Sequence, residues 1–315
     1  MINVITVHWQ TPKWIEVQLS YLERTVEGPF RVFAALNGID PRLRSRFHFA
    51  EDMEGTHEEK LNALARIAIE GSDPTDILMF LDGDAFPVQN VDTWIHAALQ
   101  EYPLAAVRRD ENLGDRQPHP CFCVTTAGFW REIDGDWRRG GTWINSKGDE
   151  VTDPGGNLLH QLEELRQDWL PIVRTNTDNP HPLWFAVYGH LVYHHGAGFR
   201  RRISRNDRTV QPQFVDAQIG KRRGPTIGRL RLALRAEPAR LTRLRPRHLL
   251  IITRALQKTT LKRGSRWWYQ RQKTKYYERL EVLAEDVFAR LQIDPKFYLE
   301  FDSDAGDVAS DLATQ

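Results

Sequence analysis

Cysteine is nearly absent from this chain: Cys121 and Cys123 are its only two in 315 residues. Two residues make no disulfide framework. At i, i+2 on a strand they are expected to share one face, where bridging is difficult. Such scarcity fits a reducing compartment. Long apolar runs are missing too, and no stretch approaches the 18 residues of a membrane-spanning helix. The opening segment Met1-Ile2-Asn3-Val4-Ile5-Thr6-Val7-His8-Trp9 has no basic n-region, which predicts no signal peptide. Cytoplasmic residence is therefore expected. No internal repeat is present.

What the chain does have is an ordinary globular composition, 41% hydrophobic and 27% charged. At this length a core forms without covalent staples. The net charge of +1 conceals an asymmetry. Residues 221–277 hold 18 Lys/Arg against one acidic residue, Glu237, a net +17 that the remainder offsets with −16. Composition shifts sharply near residue 220. The expected organisation is a catalytic α/β domain over 1–219, a basic helical extension over 220–301 and an acidic, disordered tail over 302–315.

Hydrophobic periodicity gives the α/β class. Ile2 to Val7 and Phe30 to Leu36 read as buried strands. Thr11-Pro12 is expected to open a helix carrying Ile15, Leu19, Leu22 and Val26. Thr56-His57-Glu58-Glu59 is a capping box in front of a second helix. Ile77-Leu78-Met79-Phe80-Leu81 is a continuous apolar run, as in a central strand covered on both faces. Leu104 to Val107 and Cys121 to Thr125 read as further strands. Asp153-Pro154 is expected to open a helix, and Leu191-Val192-Tyr193 to form a strand ending in His194-His195-Gly196. A helix is expected from Trp267 to Leu291. This alternation predicts a doubly wound, mostly parallel sheet with ligands at the carboxyl ends of its strands.

Three groups of residues carry chemistry. Asp82-Gly83-Asp84 follows the buried run directly. Two carboxylates one residue apart suit a hard divalent cation, and Gly83 leaves room for a phosphate or sugar. The sequence holds two more D-x-D triplets, at Asp134 and Asp302, and neither follows a buried strand. His194 and His195 precede a glycine-rich turn, and either is a competent metal ligand. Arg200, Arg201 and Arg202 follow and suit diphosphate oxygens. Asp153 is a candidate general base, with Asp149 and Glu150 as substitutes, and also a candidate helix N-cap. His119-Pro120 with Trp130, Trp137 and Trp143 mark a possible acceptor region, although tryptophan is more often core.

The Val4-Ile5-Thr6-Val7-His8 start, Ala35-Leu36-Asn37-Gly38, and Met79-Phe80-Leu81-Asp82-Gly83-Asp84-Ala85 resemble the nucleotide-binding half of GT-A glycosyltransferases, nearest the family-two-like group. The resemblance covers about residues 1–215. It implies a nucleotide-diphosphate sugar donor and Mn2+ or Mg2+. Val7, His8 and Asn37 would lie near the base, and Asp82 and Asp84 near the ribose and metal, with a histidine (His194 or His195) completing the metal site. Asn37 stands where such enzymes more often have Asp. The acceptor would be a glycan or lipid-linked glycan, transferred with inversion by a carboxylate base. The basic 221–277 segment, with Trp267, Trp268 and Tyr269, would suit an anionic membrane surface. No nucleic-acid-binding motif accompanies it. The alternatives are a nucleotidyltransferase of related fold, disfavoured because no Gly-rich, Lys-containing phosphate loop follows the first strand, and a non-catalytic membrane- or nucleic-acid-binding adaptor.

Overall fold

The computed structural model describes residues 1–112, 115–144, 150–176, 181, 184–196, 198, 271, 274–294 and 296–300. Arg200 to Arg202, most of 221–277, Asp149 and the tail from Asp302 lie outside the described residues. One compact unit holds residues 1–201 and 287–315, and a second holds 202–286.

In chain order the elements are β1 (Ile2–Trp9), α1 (Ile15–Thr25), β2 (Phe30–Asn37), β3 (Phe49–Glu51), α2 (His57–Glu70), β4 (Ile77–Asp82), β5 (Ala85–Pro87), α3 (Asp92–Glu101), β6 (Leu104–Val107), β7 (His119–Thr126), α4 (Ala127–Glu132), β8 (Trp143–Ile144), β9 (Glu150–Val151), α5 (Gly156–Glu164), β10 (Leu170–Ile172), β11 (Ala186–Tyr188) and β12 (Val192–His194). Residues 274–293 are helical and are called α6.

Seven strands form the main sheet in the order β10-β6-β7-β4-β1-β2-β3. Every adjacent pair is parallel except those made by β7, which runs against both β4 and β6. The strand order reverses between β1 and β4, and the crevice at their carboxyl ends is where such sheets hold ligands.

Side-chain alternation along the strands sorts two cores. Val4, Leu36, Met79 and Leu81 pack with Ile15, Leu19, Leu22 and Ile95 of α1 and α3. Ile5, Val7, Phe33 and Phe80 pack with Leu61, Leu64, Ala65 and Leu162 of α2 and α5. The result is three layers, helices on both faces of the sheet. Burial is expected to stabilise each large side chain by about 1.5–3 kcal/mol.

Several local expectations need correction. Helix α1 begins at Ile15, not at Pro12, and its N-cap is Trp14 with no side-chain cap. Thr11 accepts only the Lys13 amide, at 3.3 Å, and Ile15 N–H donates to Pro12 O at 3.0 Å, so Pro12 sits in a preceding turn. Helix α5 is capped by Gly155, not Asp153. Gly155 has φ +97°, and a Cβ there would stand 2.0 Å from Pro118 O. The close approach and the left-handed backbone both require glycine, and they free the Asp153 carboxylate for another partner. The capping box stands as expected: Glu59 N–H donates to Thr56 Oγ1, and Thr56 N–H to Glu59 Oε2 at 2.7 Å.

The two cysteines do not share a face. Cys121 belongs to one core and Cys123 to the other. Ala106 pairs with Cys123 but Val107 pairs with His119, so β7 carries extra residues across one step of β6. This bulge breaks the period of two and re-aims His119 and Cys121. Trp130 and Trp137 are core residues packed against Phe80, tilted and edge-on, with ring centroids 4.7 and 5.1 Å away. They are not available to an acceptor. Asp136, from the second D-x-D triplet, is a structural hub that accepts from Asn62 at 2.6 Å, Asn157 at 2.7 Å and the Arg138 amide at 2.9 Å.

Candidate active site

Strand β4 delivers Asp82 as its last residue, so its carboxylate stands at the carboxyl edge beside β1. A two-residue turn follows, and β5 leaves the main sheet for a second one of order β11-β12-β5. In that small antiparallel sheet His194 pairs with Ala85. This register, not a parallel strand end, sets His194 beside Asp84. Gln18 of α1 locks the turn from behind: its Nε2 donates to Asp82 O at 2.9 Å and to Ala85 O at 2.8 Å. Nothing in the sequence pattern marks Gln18, because an isolated glutamine on a helix ordinarily faces solvent.

His194 Nε2 lies 3.6 Å from Asp82 Oδ2 and 3.5 Å from Asp84 Oδ1. Asp82, Asp84 and His194 offer ligand atoms all within 4.8 Å of one another. Two carboxylate oxygens and an imidazole nitrogen, nearly buried, suit a divalent cation such as Mn2+ or Mg2+ that keeps open positions for phosphate oxygens and water. His195 is not part of this cluster. Its ring packs at a tilt against Trp14 at 4.5 Å and edge-on against Phe185 at 5.2 Å, and its Nδ1 meets Tyr193 Oη at 3.1 Å. Burial pushes its imidazole down to about 3.

His57, the first residue of α2, joins the cluster from the other side, its Nε2 3.0 Å from Asp82 Oδ1. Burial would lower its pKa, but the Asp82 hydrogen bond and charge outweigh that and raise it. The same contest raises His194 well above its ordinary range, the Asp84 charge prevailing over burial. Asp84 answers in the opposite sense. Burial would raise it, yet the His194 charge and the Gly198 amide hold it at about 2. The site thus keeps Asp84 ionised. His119 stands behind, with its ring 6.4 Å from that of His194, and its pKa is driven well down by burial and the Arg109 charge.

The three residues expected near the nucleobase are placed differently from one another. Val7 packs in the core on the α2 side. His8 is fully buried and faces α1, where its Nε2 meets Gln18 Oε1 at 3.1 Å; burial lowers its pKa to about 4. Alternation along β1 makes this unavoidable once Val7 faces α2. Asn37 spends its amide on Asp52 and on Met53 O, the latter at 2.7 Å. Trp9, one residue on, is 44% exposed with the Lys60 ammonium 4.6 Å from its ring centre. It is the aromatic surface at the carboxyl end of β1.

Asp153 is ion-paired to Arg109 and also accepts from Asn112 at 3.4 Å. Arg109 bonds Asp115 too, at 3.3 Å, and is itself nearly buried. Burial raises Asp115 to about 6, with the neighbouring Asp153 charge adding to the effect and Arg109 opposing it.

No protein-family model matches the chain, and no curated protein matches it. Among solved structures it is similar to S. aureus TarS, at 12% identity and a TM-score of 0.33, over 44% of this chain and 30% of that one. It is similar to the galactosyltransferase LgtC, solved with donor and acceptor sugar analogues, at 11% identity and 0.32, over 51% and 70%. It is also similar to a Bacillus anthracis protein described as a glucose-1-phosphate thymidylyltransferase, at 9% and 0.28, over 42% and 75%. These likenesses are too partial to carry function. The chain's own topology gives the class: a mostly parallel seven-stranded α/β sheet with one reversed strand and an Asp-x-Asp turn at the carboxyl end of β4.

Proposed function

We propose that this protein is a metal-dependent glycosyltransferase that moves a sugar from a nucleotide-diphosphate sugar to a hydroxyl of a glycan or lipid-linked glycan. The observation that carries the reading is the Asp82–Asp84–His194 cluster at the strand-order reversal. These three residues would hold Mn2+ or Mg2+, and the cation would offset the charge that builds on the departing diphosphate. Trp9, at the end of β1, offers a face for the donor's base, and Gly83 leaves the turn open for ribose or sugar. Asp153 takes the proton of the acceptor hydroxyl in a single displacement that inverts the anomeric centre. Arg109, ion-paired to that carboxylate, holds its direction. A nucleotidyltransferase would need a glycine-rich, lysine-bearing loop after β1; residues 10–14 read Gln-Thr-Pro-Lys-Trp, without glycine.

The test is a panel of nucleotide-diphosphate sugars assayed for release of nucleoside diphosphate with and without Mn2+. Wild type should release it from at least one donor, only with the cation, and Asp84→Ala should abolish both the release and the Mn2+-dependent tightening of donor binding seen by calorimetry. Equal binding by Asp84→Ala with and without Mn2+, matching wild type, would remove the metal assignment. Release of pyrophosphate from a nucleoside triphosphate instead would make the protein a nucleotidyltransferase.

A further inference from the structure

Gly198 lies directly on the Asp84 carboxylate, its N–H donating to Asp84 Oδ2 at 2.8 Å. Its carbonyl accepts from the Trp14 indole at 3.0 Å. A Cβ at position 198 would stand 2.5 Å from Trp14 Nε1, 2.6 Å from Asp84 Oδ2 and 2.7 Å from Asp84 Cβ, so only glycine fits between them. Upstream, the His195 amide donates to Asp84 O at 3.0 Å, and the His195 ring packs at a tilt against Trp14. The segment that carries His194 is therefore fastened to Asp84 at two backbone points, and Trp14 contacts both.

Trp14 is itself held from outside. It is fully buried at the N-terminus of α1, with the Phe288 ring edge-on at 4.8 Å. The Lys13 ammonium lies 3.9 Å from the centre of the same Phe288 ring. One turn further on, Leu291 O accepts from Tyr21 Oη at 3.4 Å. Chain nearly a hundred residues past the cluster thus backs the residue that pins Gly198.

We propose that Trp14, backed by Phe288, is a positioning residue that sets the spacing of the Asp82–Asp84–His194 cluster by clamping Gly198 onto Asp84. The indole donates one hydrogen bond that no other described residue supplies to Gly198. Removing it frees the loop end while leaving every candidate ligand in place. An oxygen of Asp84 fixed by a backbone amide presents its other oxygen to the cluster in one direction. A mobile one must be ordered when a cation binds. This inference rests on the metal reading for its consequence, but the clamp is observable without any cation.

The experiment uses the full chain. Trp14→Phe keeps a ring and loses the donor; Phe288→Leu leaves Trp14 intact and removes its edge contact. Two quantities are measured: amide hydrogen exchange of the peptide spanning 194–198 in the absence of divalent cation, and Mn2+ affinity by titration calorimetry. Circular dichroism and thermal melting monitor the fold. Trp14→Phe should raise exchange in that peptide several-fold while peptides of β1 and β4 stay protected, and should weaken Mn2+ binding about tenfold. Phe288→Leu should do the same to a smaller degree. Unchanged exchange at 194–198 in both variants would overturn the clamp. Faster exchange with wild-type Mn2+ affinity would overturn its role in setting the cluster. Should wild type bind no divalent cation, the metal reading fails while the exchange result still decides the clamp. Loss of fold in Trp14→Phe leaves the decision with Phe288→Leu.

Discussion

Among single residues, Asp153 is the one whose surroundings most sharply define its chemistry. Its carboxylate is bound on one side by Arg109 and Asn112. A carboxylate held this way is fixed in direction, as the proposed proton acceptor would need to be. Replacement by asparagine keeps the shape and the Asn112 contact but removes the charge. Asp153→Asn is expected to leave donor binding intact and to lower turnover by roughly 10²–10⁴-fold. Turnover close to wild type under saturating donor would exclude Asp153 as the base. A product retaining the donor's anomeric configuration would instead exclude single displacement. Asp115, across the same arginine, makes a different prediction. Its folded pKa, about 6, lies above the ordinary aspartate value of about 4. The folded state therefore binds more protons than the unfolded state between those values. Its contribution to stability is full below about pH 4 and is lost as pH rises through 6. Urea denaturation from pH 4 to 6.5 should show that fall in wild type and a flatter dependence in Asp115→Asn. Identical slopes would refute the assignment.

At the level of elements, legibility followed the length of the hydrophobic signal. Strand β4 carries five apolar residues in a row into Asp82, and so both the strand and the Asp-x-Asp turn at its end could be read directly. Strand β12 was legible from Leu191-Val192-Tyr193, but its partners β5 and β11 have three residues each, all buried, and three buried residues show no period. The small antiparallel sheet that sets His194 against Asp84 was therefore invisible, even though His194 itself was a candidate. His195 was indistinguishable from it in sequence; only the alternation of β12 past its last paired residue sends one ring to the carboxylates and the other to Trp14. The helix starts failed for a related reason. Thr-Pro and Asp-Pro are good local N-terminal signals, but burial of Trp14 and the tight passage of Gly155 over Pro118 decided where α1 and α5 begin. His57 was legible at the start of a helix that could face the donor, but its pairing with Asp82, which depends on how α2 packs beside β4, was not. Gln18 had no sequence signal at all.

For the whole molecule, the dominant unassigned property is charge distribution. The +17 of residues 221–277 was read from sequence and lies mainly outside the described residues, of which Arg271 and 274–277 are helical. Among the described residues no helix is long and apolar enough to cross a membrane. Surface attachment through basic residues and Trp267 and Trp268 would serve a lipid-linked acceptor. The chain is expected to float with phosphatidylglycerol vesicles at low salt, and less as salt rises, since exposed charges are screened over about 8 Å at physiological ionic strength. Recovery that is equal with neutral vesicles, or nil with both, would retire the membrane reading. The same block attracts nucleic acid by the same charge, so competition by a duplex at matched salt is the companion control.

The bulge in β7 has one more consequence. It sends Cys121 and Cys123 into opposite cores, each 0% exposed, in a strand paired on both sides by β4 and β6. Burial also raises both thiols, so neither is poised to react as thiolate in the folded protein. A thiol reagent can reach Cys123 only when the middle of the sheet parts, whereas Cys121, hydrogen-bonded to His194, is exposed by opening at the candidate metal site. Modification of these two sulfurs is thus a pair of clocks, one for the sheet's centre and one for its carboxyl edge, built into the wild-type chain without any label. Two reporters facing opposite layers can tell whether the helices on one face lift before those on the other. A ligand that binds only the closed sheet slows both clocks by mass action, whichever ligand it proves to be.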